Sequence, residues 1–203
     1  MTTTIKRSDI PAVATATAGG FYAGLIKSDD QVFAIIAAPK AQGDIRAAWG
    51  RYGEEVTGAI SYHDGMANTV AMAEAGSPIA TQARAAQING FTDWHVPSRD
   101  ELETLYRAFK PTTDENYCSF RDGDNASSVP VGYPYTAGCP AQTQAPAFQA
   151  GGDEAFEPAW YWASTQDSAG VAWYQYFGDG YQFYGNLDYE GRVRFVRRLL
   201  VIE

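Results

Sequence analysis

The chain has 203 residues, 45% of them hydrophobic and 19% charged, with a formal net charge of −9. This is the composition of a folded globular protein, long enough to bury a substantial core as one large domain or one domain with an appendage. The acidic balance excludes a binder of phosphate backbones, whose affinity comes from Lys and Arg, and it opposes contact with anionic membranes; no apolar run reaches the roughly 20 residues needed to insert across one.

In chain order, residues 1–18 (MTTTIKRSDIPAVATATA) lack the apolar centre of a secretory signal. Their Thr/Ala-rich composition predicts an irregular arm or attachment segment ahead of a domain over 19–203. Residues 20–27 (GFYAGLIK) and 31–37 (QVFAIIA) are β-rich runs around a Ser28-Asp29-Asp30 turn, which predicts a hairpin. Residues 39–62 show no clear period. A helix is predicted over 64–75, with Met66, Val70 and Ala73 at helical spacing and a stop at Gly76. Ser77-Pro78 reads as an N-cap and first helical residue, for a helix running to Ile88 and ending at Asn89-Gly90.

The clearest local signal is Ser98-Arg99-Asp100-Glu101, a capping box. Leu102, Leu105, Tyr106 and Phe109 follow at i, i+3, i+4 and i+7, a stripe that predicts burial beneath the C-terminal sheet; Lys110-Pro111 ends the helix. Residues 111–158 are rich in Gly, Pro, Asp, Ser and Thr and read as a long loop, functional or partly disordered. Strands resume at about 159. The order of hairpin, two to three helices, loop and C-terminal antiparallel sheet predicts an α+β protein rather than a βαβ repeat.

Residues 160–189 hold 11 of the 28 aromatic side chains, far more tyrosine and tryptophan than a core requires. Such rings suit a surface that is both ordered and adhesive. Along 171–177, Val171, Trp173, Gln175 and Phe177 share one face and make the better core set, so Tyr174 and Tyr176 point outward. The faces of 181–184, Tyr181/Phe183 and Gln182/Tyr184, are not distinguished. Two readings stand for these tyrosines: half-buried residues packing on one another, or a ligand-facing patch of Tyr174, Tyr176, Tyr181, Tyr184, Asn186, Asp188 and Tyr189.

Other chemistry is sparse. Cys118 and Cys139 are either two free thiols or one disulfide closing a long loop; with two scattered histidines they make no zinc site. His63-Asp64 could be a base with its orienting carboxylate, but no nucleophile with a recognisable frame accompanies it, and His95 reads as structural. Asp122-Gly123-Asp124-Asn125 offers oxygen ligands without the rest of a calcium loop. The glycines at 150–152 and 178–180 do not form a phosphate loop. Arg192, Arg194, Arg197 and Arg198 lie on one strand, read over 192–201, for ion pairing or for an acidic ligand. No catalytic residue, metal or cofactor is expected.

Two separated stretches carry a resemblance. The first is Gly90-Phe91-Thr92-Asp93-Trp94-His95-Val96-Pro97-Ser98 with Glu101, Leu102 and Leu105; the second is Tyr161-Trp162-Ala163-Ser164-Thr165, then Trp173, Asp179-Gly180, Val193-Arg194 and Val196-Arg197. Over roughly residues 60–200 the chain resembles the DUF1566, or Lcl C-terminal domain, family, with His95 where that pattern usually has Arg. The resemblance implies a C-type-lectin-like fold, related in architecture to formylglycine-generating enzymes and to variable proteins of diversity-generating retroelements. Members are common in phages, prophages and bacterial surface proteins. The expectation is a non-catalytic recognition module in a virion tail, or a prophage product made in the host cytoplasm. It would contact a host cell-surface receptor, glycan or protein, through the aromatic strands. Other tail proteins and further copies of the chain, as in a trimer, are the expected partners. The alternatives are a structural virion assembly protein, whose aromatic surface is a subunit interface, and a formylglycine-generating-enzyme-like oxidoreductase.

Overall fold

Two mixed β-sheets share the chain, and two segments cross between them side by side. The computed structural model describes residues 3–119 and 121–203; Met1 and Thr2 of the expected arm, and Phe120, lie outside the described residues. The elements are β1 (Thr4–Lys6), β2 (Ala16–Thr17), β3 (Gly20–Ser28), β4 (Gln31–Ala37), α1 (Lys40–Gly43), β5 (Asp44–Ala48), α2 (Gly65–Glu74), α3 (Pro78–Ala85) and α4 (Arg99–Phe109). They continue with β6 (Ser128–Val129), β7 (Trp160–Ser168), β8 (Val171–Tyr176), β9 (Gln182–Asn186), β10 (Glu190–Arg194) and β11 (Val196–Ile202). The class is α+β, as expected.

The first sheet runs β1-β11-β4-β3-β2, with β6 also on β3; the second runs β5-β10-β7-β8-β9. The expected β3–β4 hairpin forms, with Asp29 in its turn at φ 54°, a left-handed conformation that Asp tolerates. Three expectations are corrected. The first 18 residues are not irregular throughout: β1 lies parallel to β11, and β2 pairs with β3. The C-terminal sheet is not purely antiparallel, because β10 runs parallel to β7. Residues 192–201 are not one strand of that sheet. β10 belongs to the second sheet and β11 to the first, and the chain changes sheet at Phe195. There Ala38 donates to the Phe195 carbonyl and Phe195 to that of Gly43, each bond bridging the crossing from β4 to β5. Covered on both sides, 193–197 are buried at every position, so no alternation marks the break.

α4 carries the expected capping box: Ser98 Oγ accepts from the Glu101 amide, and Glu101 Oε2 accepts from the Ser98 amide at 2.7 Å. Leu102, Leu105 and Phe109 are buried, but α4 packs on β3 of the first sheet as well as on β7 and β8. It is therefore a wedge between sheets rather than a layer beneath one. α3 ends at Ala85, short of Ile88. On α2 the buried face is Gly65, Asn68, Thr69 and Met72, while Val70 is exposed. The polar pair faces inward because it is fully bonded: Asn68 to Ser61 and Ser164, Thr69 to Val96.

The 111–158 segment is structured and closes the main core. Phe148 stacks on Phe109 at 4.0 Å, and Phe156 on Phe177 at 4.3 Å. Its first part is gathered by Lys110 and Asn116, both buried; Asn116 Nδ2 donates to the carbonyls of Thr136 and Pro140, each at 2.9 Å.

The two motif stretches meet in space. Ser164 donates to the Pro97 carbonyl at 2.7 Å, Thr165 Oγ1 accepts from the Arg99 amide at 2.9 Å, and His95 exchanges two backbone bonds with Val196. Their residues build the joint between helix α4 and both sheets.

Candidate functional site

The second sheet buries one face against α4, where Tyr161, Ala163, Trp173 and Phe177 join the main core. Part of its other face, with Trp162, Ala172 and Val193, is covered by α2, α3 and Trp94 in a second core. Beyond Trp162 that face is uncovered, and a cleft of about 680 Å³ opens on it. Register fixes the lining: Trp160 lies opposite Tyr176, and Trp162 opposite Tyr174. The outward placement of Tyr174 and Tyr176, against buried Trp173 and Phe177, follows the alternation read from the sequence.

The rings stack in a row. Tyr174 lies 3.9 Å from Trp160 and 5.2 Å from Trp162, each nearly parallel. Trp160 continues to Tyr181 at 5.8 Å, and Tyr181 to Tyr117 at 4.2 Å. Trp162 is held by two glycines. A Cβ on Gly185 would stand 2.5 Å from its ring, and one on Gly191 would stand 2.5 Å from its Nε1. This indole N–H is buried without an acceptor.

Polar groups rim the rings. Arg46 on β5 donates from Nε to the Glu190 carbonyl at 3.3 Å, with the Glu190 carboxylate 4.0 Å away. Arg192 Nε lies 3.3 Å from Asp44 and 3.3 Å from the Tyr161 hydroxyl. Burial opposes the Arg192 charge, but Asp44 and Tyr161 outweigh it and hold the guanidinium above its ordinary pKa. Burial, helped by the neighbouring Tyr181 and Tyr189, raises the Tyr174 phenol, which therefore stays a neutral hydroxyl at neutral pH. Behind the sheet, burial pushes the Tyr161 phenol up to about 12.

Of the seven candidate ligand residues, Tyr174, Tyr176, Tyr184, Asn186 and Tyr189 line this cleft. Tyr181 and Asp188 do not: Tyr181 extends the ring stack past its end, and Asp188 is exposed in the β9–β10 turn. Tyr184 borders the cleft while its ring packs 4.4 Å from Trp173 and its hydroxyl accepts from Arg121 at 2.6 Å. Packing and patch thus coexist in the same tyrosines. The patch read from the sequence omitted Trp160, Trp162, Arg46 and Glu190, which also line the cleft, as does Arg192, read there among the arginines for ion pairing or an acidic ligand. The period-two spacing of the two tryptophans in WYWAS was the available signal for that pair.

The remaining candidates have other partners. Arg194 pairs with Asp44, Arg197 with Asp93 and Arg198 with Asp64, so together with Arg192 the four arginines serve ion pairs. Asp64 also caps α2, and His63 instead meets Ser28 Oγ at 3.0 Å. His95 and Glu101 form a buried pair at 3.3 Å. Asp122 accepts from the amides of Gln182 and Ser119, and Asn125 donates to Glu103. Cys118 and Cys139 are free and exposed, so of the two readings the structure has the thiols and not the disulfide.

Among curated proteins, no relative matches the chain. The family model of the Lcl C-terminal domain matches residues 46–197, which include the end of β5, the cleft and both motif stretches. By that match, the chain belongs to the Lcl C-terminal domain family.

Proposed function

We propose that this chain is a non-catalytic recognition module, carried on a phage or prophage tail, that engages a host cell-surface receptor in the aromatic cleft. One observation carries the reading: Trp160, Tyr174, Tyr176 and Tyr189 converge on an open cleft, while the family's motif residues hold the fold together behind it. Rigid amphipathic rings of this kind recur at binding hot spots. Neither histidine and neither cysteine lines the cleft.

A second reading, a subunit interface in virion assembly, draws on the outermost strand β9, which exposes Phe183. The two readings separate on the double replacement Tyr174→Ala with Tyr176→Ala, followed by a melting curve, a mass measurement and a binding assay on host bacteria. Lost attachment with normal melting and unchanged mass supports recognition. A changed mass supports assembly. Unchanged attachment with a large drop in melting temperature makes these tyrosines packing residues.

A further inference from the structure

We infer that the cleft takes a neutral pyranose chain, an oligosaccharide without carboxylate or sulfate groups. The inference rests on the recognition reading and names its ligand class. Trp162 is buried and Tyr174 is stacked between it and Trp160, so the apolar flank with π density is offered by the half-buried Trp160 and the exposed Tyr189. A pyranose presents a matching flank of C–H groups on one side and hydroxyls around its edge. Those hydroxyls both donate and accept, and the rim offers both functions: the Glu190 carboxylate accepts, the Arg46 guanidinium donates, and the Asn186 amide and Tyr174 phenol do either.

Charge decides against an anionic ligand. Arg46 is faced by Glu190 at 4.0 Å, and Arg192 by Asp44 at 3.3 Å, so neither guanidinium offers an uncompensated charge to a sulfate or uronate. Asp188 beside the cleft, and the net charge of −9, repel one. The volume of about 680 Å³ falls within the roughly 300–1,000 Å³ of small-ligand sites. The cleft is open at the surface, which suits a stretch of a longer glycan.

The test uses the full chain on a printed array of neutral oligosaccharides built from glucose, galactose, mannose and N-acetylhexosamines, beside uronate-bearing and sulfated ones. Hits are then titrated in solution by tryptophan fluorescence. The expected result is saturable binding to at least one neutral glycan, with an affinity that is the same in low and high salt. Trp160→Ala should weaken it by about tenfold or more. Glu190→Gln, an exposed change that leaves the core alone, should weaken it severalfold with unchanged melting. Binding only to anionic sugars, or to none, would overturn the inference. If no sugar binds but Tyr174→Ala with Tyr176→Ala still abolishes attachment to host cells, the recognition reading stands with a protein receptor. If attachment also survives that replacement, the recognition reading fails as well.

Discussion

Arg197 donates two parallel hydrogen bonds to Asp93, Nε to Oδ1 at 2.7 Å and Nη2 to Oδ2 at 2.8 Å. The same buried guanidinium stacks 3.8 Å from the Phe91 ring and donates to the Ala18 carbonyl and to Thr3 Oγ1. One side chain therefore fastens the first motif stretch and the N-terminal segment to β11. Lysine keeps the charge but not the planar fork. Arg197→Lys should cost about 1–3 kcal/mol in urea unfolding, the order expected when buried acceptors lose their hydrogen bonds. Limited proteolysis should cut first within residues 3–18. Wild-type stability in this variant would show that the fork is dispensable.

Gly185 and Gly191 admit the Trp162 indole by having no side chain. Alanine at either position meets the ring at 2.5 Å and must displace it. Each replacement should cost about 1–3 kcal/mol, as overpacking does. Tryptophan emission should shift to the red as the ring moves toward water. An unchanged spectrum and melting temperature would mean that the β9–β10 turn yields instead.

Lys110 is 2% exposed and donates to Asn116 Oδ1 at 2.9 Å and to the carbonyls of Asp114 and Pro140. Lys110→Met fills the space but removes the side-chain donor to the Asp114 carbonyl and one of the two donors to Asn116 Oδ1 and to the Pro140 carbonyl, which keep Tyr106 and Asn116, at about 1–3 kcal/mol. Faster amide exchange across 111–145, with α2 and α3 unaffected, is the expected readout. Uniform exchange over the whole chain would refute a role confined to this segment.

Burial pushes the Glu103 carboxyl above its ordinary pKa, against the pull of Arg107, Asn125 and Tyr135. The folded protein thus holds this proton more tightly than the unfolded chain does. Glu103's contribution to stability is full below the unfolded value of about 4.3 and is lost as pH rises through the raised folded value. Glu103→Gln removes that loss. The stability of the variant relative to wild type should improve as pH rises from about 4, then level off above the folded pKa. Asp100 and Asp122, also raised by burial, remain in both proteins and cancel. A difference that does not change with pH would show that Glu103 titrates normally.

α4 was legible in the sequence because its cap, stripe and stop all lie within a dozen neighbouring residues. The outward face of β8 was legible because Trp173 and Phe177 alternate with Tyr174 and Tyr176. Arg46 was not, because β5 (DIRAA) has no alternation of its own and becomes a strand only by pairing with β10. The buried face of α2 was not legible, because Asn68 and Thr69 point inward to Ser61, Ser164 and Val96, while the apolar residues at helical spacing, Met66, Val70 and Ala73, lie off that face. The 111–158 segment read as a loop because its order comes from polar anchors such as Lys110 and Asn116, and these leave no periodic trace.

The two crossings between sheets, at 38–43 and at Phe195, also bear on how the protein is made. On the ribosome, β3 and β4 emerge as a hairpin whose next neighbour in the sheet, β11, has not yet been translated. The hairpin edge on β4 must wait, after residue 37, until residue 196 has left the exit tunnel, and β1 waits with it. The first sheet cannot be completed until the end of the chain is available, whereas every strand of the second lies within residues 44–194. A product stalled at residue 195 would present the unpaired β4 edge to chaperones or to other nascent chains.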